Sequence, residues 1–210
     1  MKKAVIVDFD GTFVSINSFE YFYKELTKCA IKTGNIALFA FLLYQITLRK
    51  LRLIEHCELK KRTLHYFFNS NLLSFIPDFV GKLRHYVNDS VFSLCRDYKS
   101  NGYAVYLCTA APELYVKPFV DSFDVKFDDV ICTPNPSDML NWKENLLERK
   151  KETTLELLSK RDEVLSILIT DHHNDLPLLL LEKEKNLLIN PSSKTISVLE
   201  ESNVSFEILG

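Results

Sequence analysis

A short apolar run, Lys3-Ala4-Val5-Ile6-Val7, stops abruptly at Asp8-Phe9-Asp10-Gly11-Thr12. A run rich in β-branched residues with no polar alternation reads as a strand buried on both faces, as in a parallel sheet covered by helices. In an extended chain the side chains at i and i+2 point the same way, about 6–7 Å apart. Asp8 and Asp10 therefore share a face while Phe9 turns into the packing, and Gly11 lets the backbone bend sharply just afterwards. Two carboxylates this close repel each other unless a cation lies between them or one holds a proton. Sheets of this kind bind ligands beyond the carboxyl ends of their strands, so the feature marks a place for chemistry as well as a fold. The plain alternative is an Asp-rich strand-to-loop turn.

Similar runs recur at Ala104–Cys108, Val130–Cys132, Leu165–Ile169 and Leu187–Ile189, with helix-like stretches at Glu113–Ser122 and Lys151–Lys160 between them. Strands alternating with helices predict an α/β fold, a Rossmann-like parallel sheet core flanked by helices. The stretch 17–85 breaks this rhythm, with long apolar-periodic segments and no convincing strand. It predicts a helical cap inserted after the first strand, leaving 1–16 and 86–210 as the core; only 5 glycines in 210 residues fit so much helix. With 26 basic against 28 acidic residues and a net charge of −2, the chain lacks the basic excess of a nucleic-acid binder. Its 5 cysteines are scattered without a Cys-x-x-Cys pair, and the first apolar run is too short for a signal peptide; both predict a reducing, cytoplasmic setting.

Two further strand ends carry candidate groups. Leu165–Thr170 runs into Asp171-His172-His173-Asn174-Asp175. Asp8, Asp10 and Asp171 gathered at one sheet edge would make a hard oxygen site suited to Mg²⁺. Adjacent strand-end histidines are expected to point in opposite directions, which speaks against zinc. The other end reads Cys108-Thr109-Ala110-Ala111-Pro112-Glu113. Thr109 offers a hydroxyl, small Ala110 and Ala111 let backbone N–H groups approach an anion, and Pro112 suits a first helical turn. Taken alone, this segment is also an ordinary strand-to-helix turn.

The ordered set Asp8-Phe9-Asp10-Gly11-Thr12, Thr109, a lysine before a helix, and Asp171–Asp175 resembles the haloacid dehalogenase superfamily, in particular its phosphoserine-phosphatase-like branch. The resemblance implies a Mg²⁺-dependent phosphatase hydrolysing a small phosphomonoester. Asp8 would form an aspartyl-phosphate, and Asp10 would serve as acid and then base. The metal would be held by Asp8, Asp171 and the backbone carbonyl of Asp10. Thr109, Ala110 and a lysine would hold the phosphoryl oxygens, with Asn174 and Asp175 just behind, Asp175 orienting the lysine or a metal-bound water. Lys151, twenty residues before Asp171, fits the branch's pattern best; Lys150 points about 100° away on the same helix, and Lys143 comes too early. Asn17 stands where phosphoserine phosphatases carry a glutamate that reads the substrate amine, which disfavours phosphoserine as substrate. Other readings are a phosphotransferase with the same intermediate, a dehalogenase, for which Asp10 is superfluous, and a phosphate-binding scaffold with a relic site.

A cap sets specificity in such an arrangement, and this one is aromatic. Most of Phe19, Tyr21, Phe22, Tyr23, Phe39, Phe41, Tyr44, Tyr66, Phe67 and Phe68 are expected to pack its own helices, with a few lining a pocket for an apolar-bodied phosphomonoester. Basic residues within 49–62 would instead bind a carboxylate or a second phosphate. Thr33 to Leu48 carries no charge, and Ile36 to Tyr44 is unbroken apolar and aromatic. That is too short for a span of about 20 residues. It reads as a buried helix, or as one docked on a membrane or greasy ligand, with Arg49, Lys50 and Arg52 following.

Overall fold

The computed structural model describes residues 1–70, 72–123, 126–137 and 139–209. Strands β1 (Lys2–Val7), β2 (Ala104–Pro112), β3 (Asp129–Thr133), β4 (Glu163–Thr170), β5 (Lys185–Ile189) and β6 (Glu207–Leu209) form one sheet in the order β3-β2-β1-β4-β5-β6. Every neighbouring pair is parallel. The predicted α/β, Rossmann-like architecture is therefore present. The edge strand β6 has no counterpart in the sequence reading, because three residues with a single alternation carry no readable period.

Alternate residues feed two cores. Val5, Val7, Val105, Leu107, Ile167 and Ile169 face one side, where α5 (Asp89–Ser100) and α6 (Glu113–Asp121) pack. Ala4, Ile6, Tyr106, Cys108 and Leu168 face the other, against α7 (Glu148–Lys160), α8 (Leu176–Leu179) and α9 (Ser193–Glu201). The β1–β4 register slips by one residue between Ala4 and Val5, opposite Ser166. This bulge puts Leu165 and Ile167 on opposite faces although they are two apart.

Between β1 and β2 lie α1 (Ser18–Lys32), α2 (Ile36–Lys50), α3 (His56–Asn69) and α4 (Ile76–Leu83). Asn17 caps α1, its Oδ1 accepting from Glu20 N at 2.9 Å, and Asn35 caps α2 through Leu38 N at 3.0 Å. The aromatic residues of these helices do not form a core of their own. Phe22 packs on Phe67, Phe75 and Phe79 at centroid distances of 5.5, 5.8 and 5.2 Å, and on Tyr115 of α6 at 5.4 Å. Ser18 Oγ and Tyr115 OH share a buried hydrogen bond of 2.9 Å. The expectation of a buried α2 is overturned in part: Leu38, Leu42 and Gln45 are buried, while Ile36, Leu43 and Tyr44 are 80%, 54% and 59% exposed.

Phe79 is fully buried and touches both the inserted helices and α6. Phe79→Ala is expected to destabilise the chain by about 3–5 kcal/mol, read as a lower urea midpoint in one cooperative transition.

Candidate active site

The strand order reverses between β1 and β4, since β2 and β3 extend to one side and β4 to β6 to the other. Open α/β sheets present ligand sites at this crevice. Val7 pairs with Leu107 on one side and Ile169 on the other, so the residues that follow all leave the sheet at the same level. Asp8 N donates to Ile169 O at 2.9 Å, pinning the first acid beside the end of β4. A cavity of about 470 Å³ opens there. Asp8, Asp10, Asn17, Thr109, Ala110, Asp171, Asn174 and Asp175 all line it, and Lys151 does not.

The lysine at the centre is Lys150. Its Nζ donates to Asp8 Oδ1 at 2.8 Å and to both carboxylate oxygens of Asp175 at 2.7 and 2.8 Å. Lys151 instead lies on the outer face of α7, near Glu148 at 3.5 Å. The correction has a helical cause. Lys150, Thr154 and Leu158 form the buried stripe of α7, spaced four apart, whereas Leu155, four residues after Lys151, is 41% exposed.

Burial pushes the Asp8 carboxyl up; Lys150 pulls it down, and Asp175 and Asp171 push it up again. Burial also disfavours the Lys150 ammonium, but Asp175 and Asp8 outweigh that and hold it protonated. Asp10 lies on the loop after β1, where Ser18 N donates to its Oδ1 at 2.8 Å. Burial raises its pKa, and the Ser18 bonds only partly offset this, so Asp10 holds a proton more readily than an exposed aspartate. Thr109 is buried at the end of the first segment of β2, and its Oγ1 accepts from Ala111 N at 3.0 Å. The Ala110 carbonyl faces away from an anion-binding role, taking bonds from Lys60 Nζ at 3.1 Å and Thr133 Oγ1 at 2.7 Å. Asn17 spends its carbonyl oxygen on the α1 cap.

Gly11 adopts φ +72°, and a Cβ there would lie 2.2 Å from Asp171 Oδ2. The missing side chain is what lets Asp171 approach the loop after β1. Burial pushes Asp171 up to about 6, against a bond from its own backbone and with Asp175 adding to the rise. Among the described residues no three His, Cys, Asp or Glu side chains form a ready metal cage. Asp171 adds to the rise at Asp8, and two carboxylates so placed nevertheless fit a hard divalent cation of the kind held by one or two carboxylates plus substrate phosphate and water. His172 and His173 do not point apart; their rings lie 4.0 Å from each other, tilted by 30°, because the chain curls into a short 3₁₀ turn (His173–Asp175) and does not stay extended.

The outer wall was not legible in the sequence as a unit. Glu20 of α1, His56 and Lys60 of α3, and Glu144 from the loop before α7 line it. Lys60 and Glu144 form an ion pair with side chains only 5% and 8% exposed. Among the described residues no Phe or Tyr lines the cavity, which corrects the expectation of an aromatic pocket. Lys60 falls in the basic stretch 49–62, but no pattern in the sequence pairs it with a glutamate 84 residues away.

The sequence model of haloacid dehalogenase-like hydrolases matches residues 5–180. No curated protein matches the chain. Among solved structures, a protein of unknown function from Bordetella pertussis Tohama I is similar with a TM-score of 0.77 at 15% identity, over 100% of this chain and 99% of that one. A phosphoserine phosphohydrolase-like protein from Francisella tularensis gives 0.61 at 18% identity, covering 99% and 94%. A phosphoserine phosphatase captured as a phospho-aspartyl intermediate analogue gives 0.55 at 13% identity, covering 99% and 93%.

Gly11→Ala is expected to strain the loop by about 1–2 kcal/mol and to push Asp171 out of place. Calorimetric titration with a divalent cation should then show weaker binding than for the unaltered chain, while circular dichroism stays the same.

Proposed function

Because the chain belongs to the haloacid dehalogenase-like hydrolase family, we propose that it is a Mg²⁺-dependent phosphatase acting on small phosphomonoesters through an aspartyl-phosphate on Asp8. The observation that carries this reading is the Lys150 ammonium, which ties Asp8 to Asp175 across the crevice between β1 and β4. A cation fixed against a buried carboxylate lets an anionic nucleophile face an anionic phosphate. The likeness to a phosphoserine phosphatase caught as a phospho-aspartyl analogue supports the same chemistry.

An Asp8 carboxylate oxygen attacks phosphorus in line, and the ester P–O bond breaks as Asp10 passes its proton to the departing alkoxide. Asp10, now ionised, takes a proton from the water that attacks the aspartyl-phosphate, and inorganic phosphate leaves with Asp8 restored. Lys150 stays charged throughout, holding Asp8 in position and meeting the phosphoryl oxygens. Thr109 and Ala110 line the cavity, and in this reading the Thr109 hydroxyl meets the phosphoryl oxygens. Mg²⁺ would be held by Asp8, Asp171 and the Asp10 carbonyl, and it supplies charge neutralisation for phosphate and nucleophile when bound. Residues 17–85 act as the cap over this edge, and its polar wall of Glu20, His56 and Lys60 favours a small polar leaving group over an apolar one.

Hydrolysis of p-nitrophenyl phosphate with Mg²⁺ checks the assignment. Asp8→Asn should abolish turnover, Lys150→Ala should lower kcat by about 10²–10³-fold, and Lys151→Ala should match the unaltered chain. Chelation with EDTA should stop the reaction and Mg²⁺ should restore it. Equal rates for Asp8→Asn and the unaltered chain would sink the proposal.

Asp10→Asn offers a separate check. Nitrophenolate leaves without needing a proton, so this variant should release about one equivalent of it and then stall. Intact-mass spectrometry should find a phosphate added to the protein. Unimpaired steady turnover would remove Asp10 from the chemistry.

A further inference from the structure

Helix α2 is apolar on both sides, although only one side is covered by protein. Leu38, Leu42 and Gln45 face the interior, and the Phe41 ring stacks on Tyr66 of α3 at 4.1 Å. On the opposite side Ile36, Phe39, Ala40, Leu43, Tyr44 and Thr47 fall within an arc of about 140° and are exposed. A helix that is hydrophobic all round belongs in a protein core or in lipid. Fifteen residues give about 22 Å of helix, short of the roughly 30 Å hydrocarbon layer. No helix among the described residues is long and apolar enough to cross a membrane. A surface-lying helix is the geometry that remains.

The charge around this face says what would cover it. From Leu26 to Ile54 there is no Asp or Glu, in a chain whose net charge is −2. Lys32 stands at one end of α2, and Arg49, Lys50 and Arg52 stand at the other. None of the four has a carboxylate partner among the described residues. Leu51 and Leu53, in the turn that follows, are 64% and 67% exposed. Apolar side chains flanked by unpaired cations complement an anionic bilayer surface. A second copy of the chain on the same face would bring its own cations against these, which disfavours self-association through α2.

We propose that the outward face of α2 and the basic turn after it form a docking surface for an anionic lipid bilayer. Ile36, Phe39, Leu43 and Tyr44 enter the headgroup boundary, and Lys32, Arg49, Lys50 and Arg52 meet lipid phosphates. The turn leads directly into His56, which lines the cavity, so the docking surface and the cavity wall are neighbours along the chain. Docking does not depend on the phosphatase reading, because none of these side chains belongs to the candidate catalytic set.

Flotation of the full chain with vesicles tests the proposal. The chain should rise with vesicles of equimolar phosphatidylcholine and phosphatidylglycerol, stay below with phosphatidylcholine alone, and be released as ionic strength increases. Leu43→Glu, and separately the pair Arg49→Glu and Lys50→Glu, should cut partitioning by about tenfold or more with unchanged melting temperatures. A chain that stays below with the anionic vesicles overturns the proposal. So does equal flotation of the variants, or a dimer abolished by Leu43→Glu in a chain that ignores vesicles.

Discussion

The arrangement at the sheet edge depends on one ammonium among carboxylates. Asp8, Asp10, Asp171 and Asp175 meet where the strand order reverses, and burial alone would drive Asp8, Asp10 and Asp171 toward protonation. Lys150, buried and bound to two of them, keeps the cluster polarised. Thr170 completes the support by donating to Asp175 Oδ2 at 2.7 Å. The residues that position Lys150 are therefore structural and chemical at once. The register of β1 against β4, the bulge opposite Ser166 and the inner stripe of α7 each decide where that ammonium lies.

Strands were readable because parallel strands buried on both faces are continuous apolar runs, and the acids showed because they end two such runs. Lys150 was harder. A helix exposes its phase only through its whole buried stripe, and here that stripe is Lys150, Thr154 and Leu158, two of which look like surface residues. The outer wall was harder again. Lys60 and Glu144 come from an inserted helix and an irregular loop, and their pairing is a product of tertiary packing that no local period records. The adjacent histidines show the same limit on a smaller scale, since a 3₁₀ turn replaces extended geometry and brings their rings together.

The inserted helices divide their labour by face. Their inward aromatics merge with Tyr115 and the sheet-side core, which fixes them over the crevice and leaves few aromatic side chains free to meet a ligand. Their polar inner edge, Glu20, His56 and Lys60, lines the cavity. Their outer face, on α2, is occupied by neither task, and the stretch from Leu26 to Ile54 that carries it holds no acid.

The buried pair between Lys60 and Glu144 has a consequence for descent. Lys60 also donates to the Ala110 carbonyl at 3.1 Å and lies over the Phe19 ring at 5.3 Å, so its place at the cavity wall is fixed by three partners. Deleting one partner strands the other charge out of water, a loss of about 3–5 kcal/mol that a domain of ordinary stability can barely survive. Replacing both together is far milder. A change of this wall that keeps the chain folded therefore replaces two residues 84 positions apart together, and single substitutions there carry a stability cost that paired ones escape.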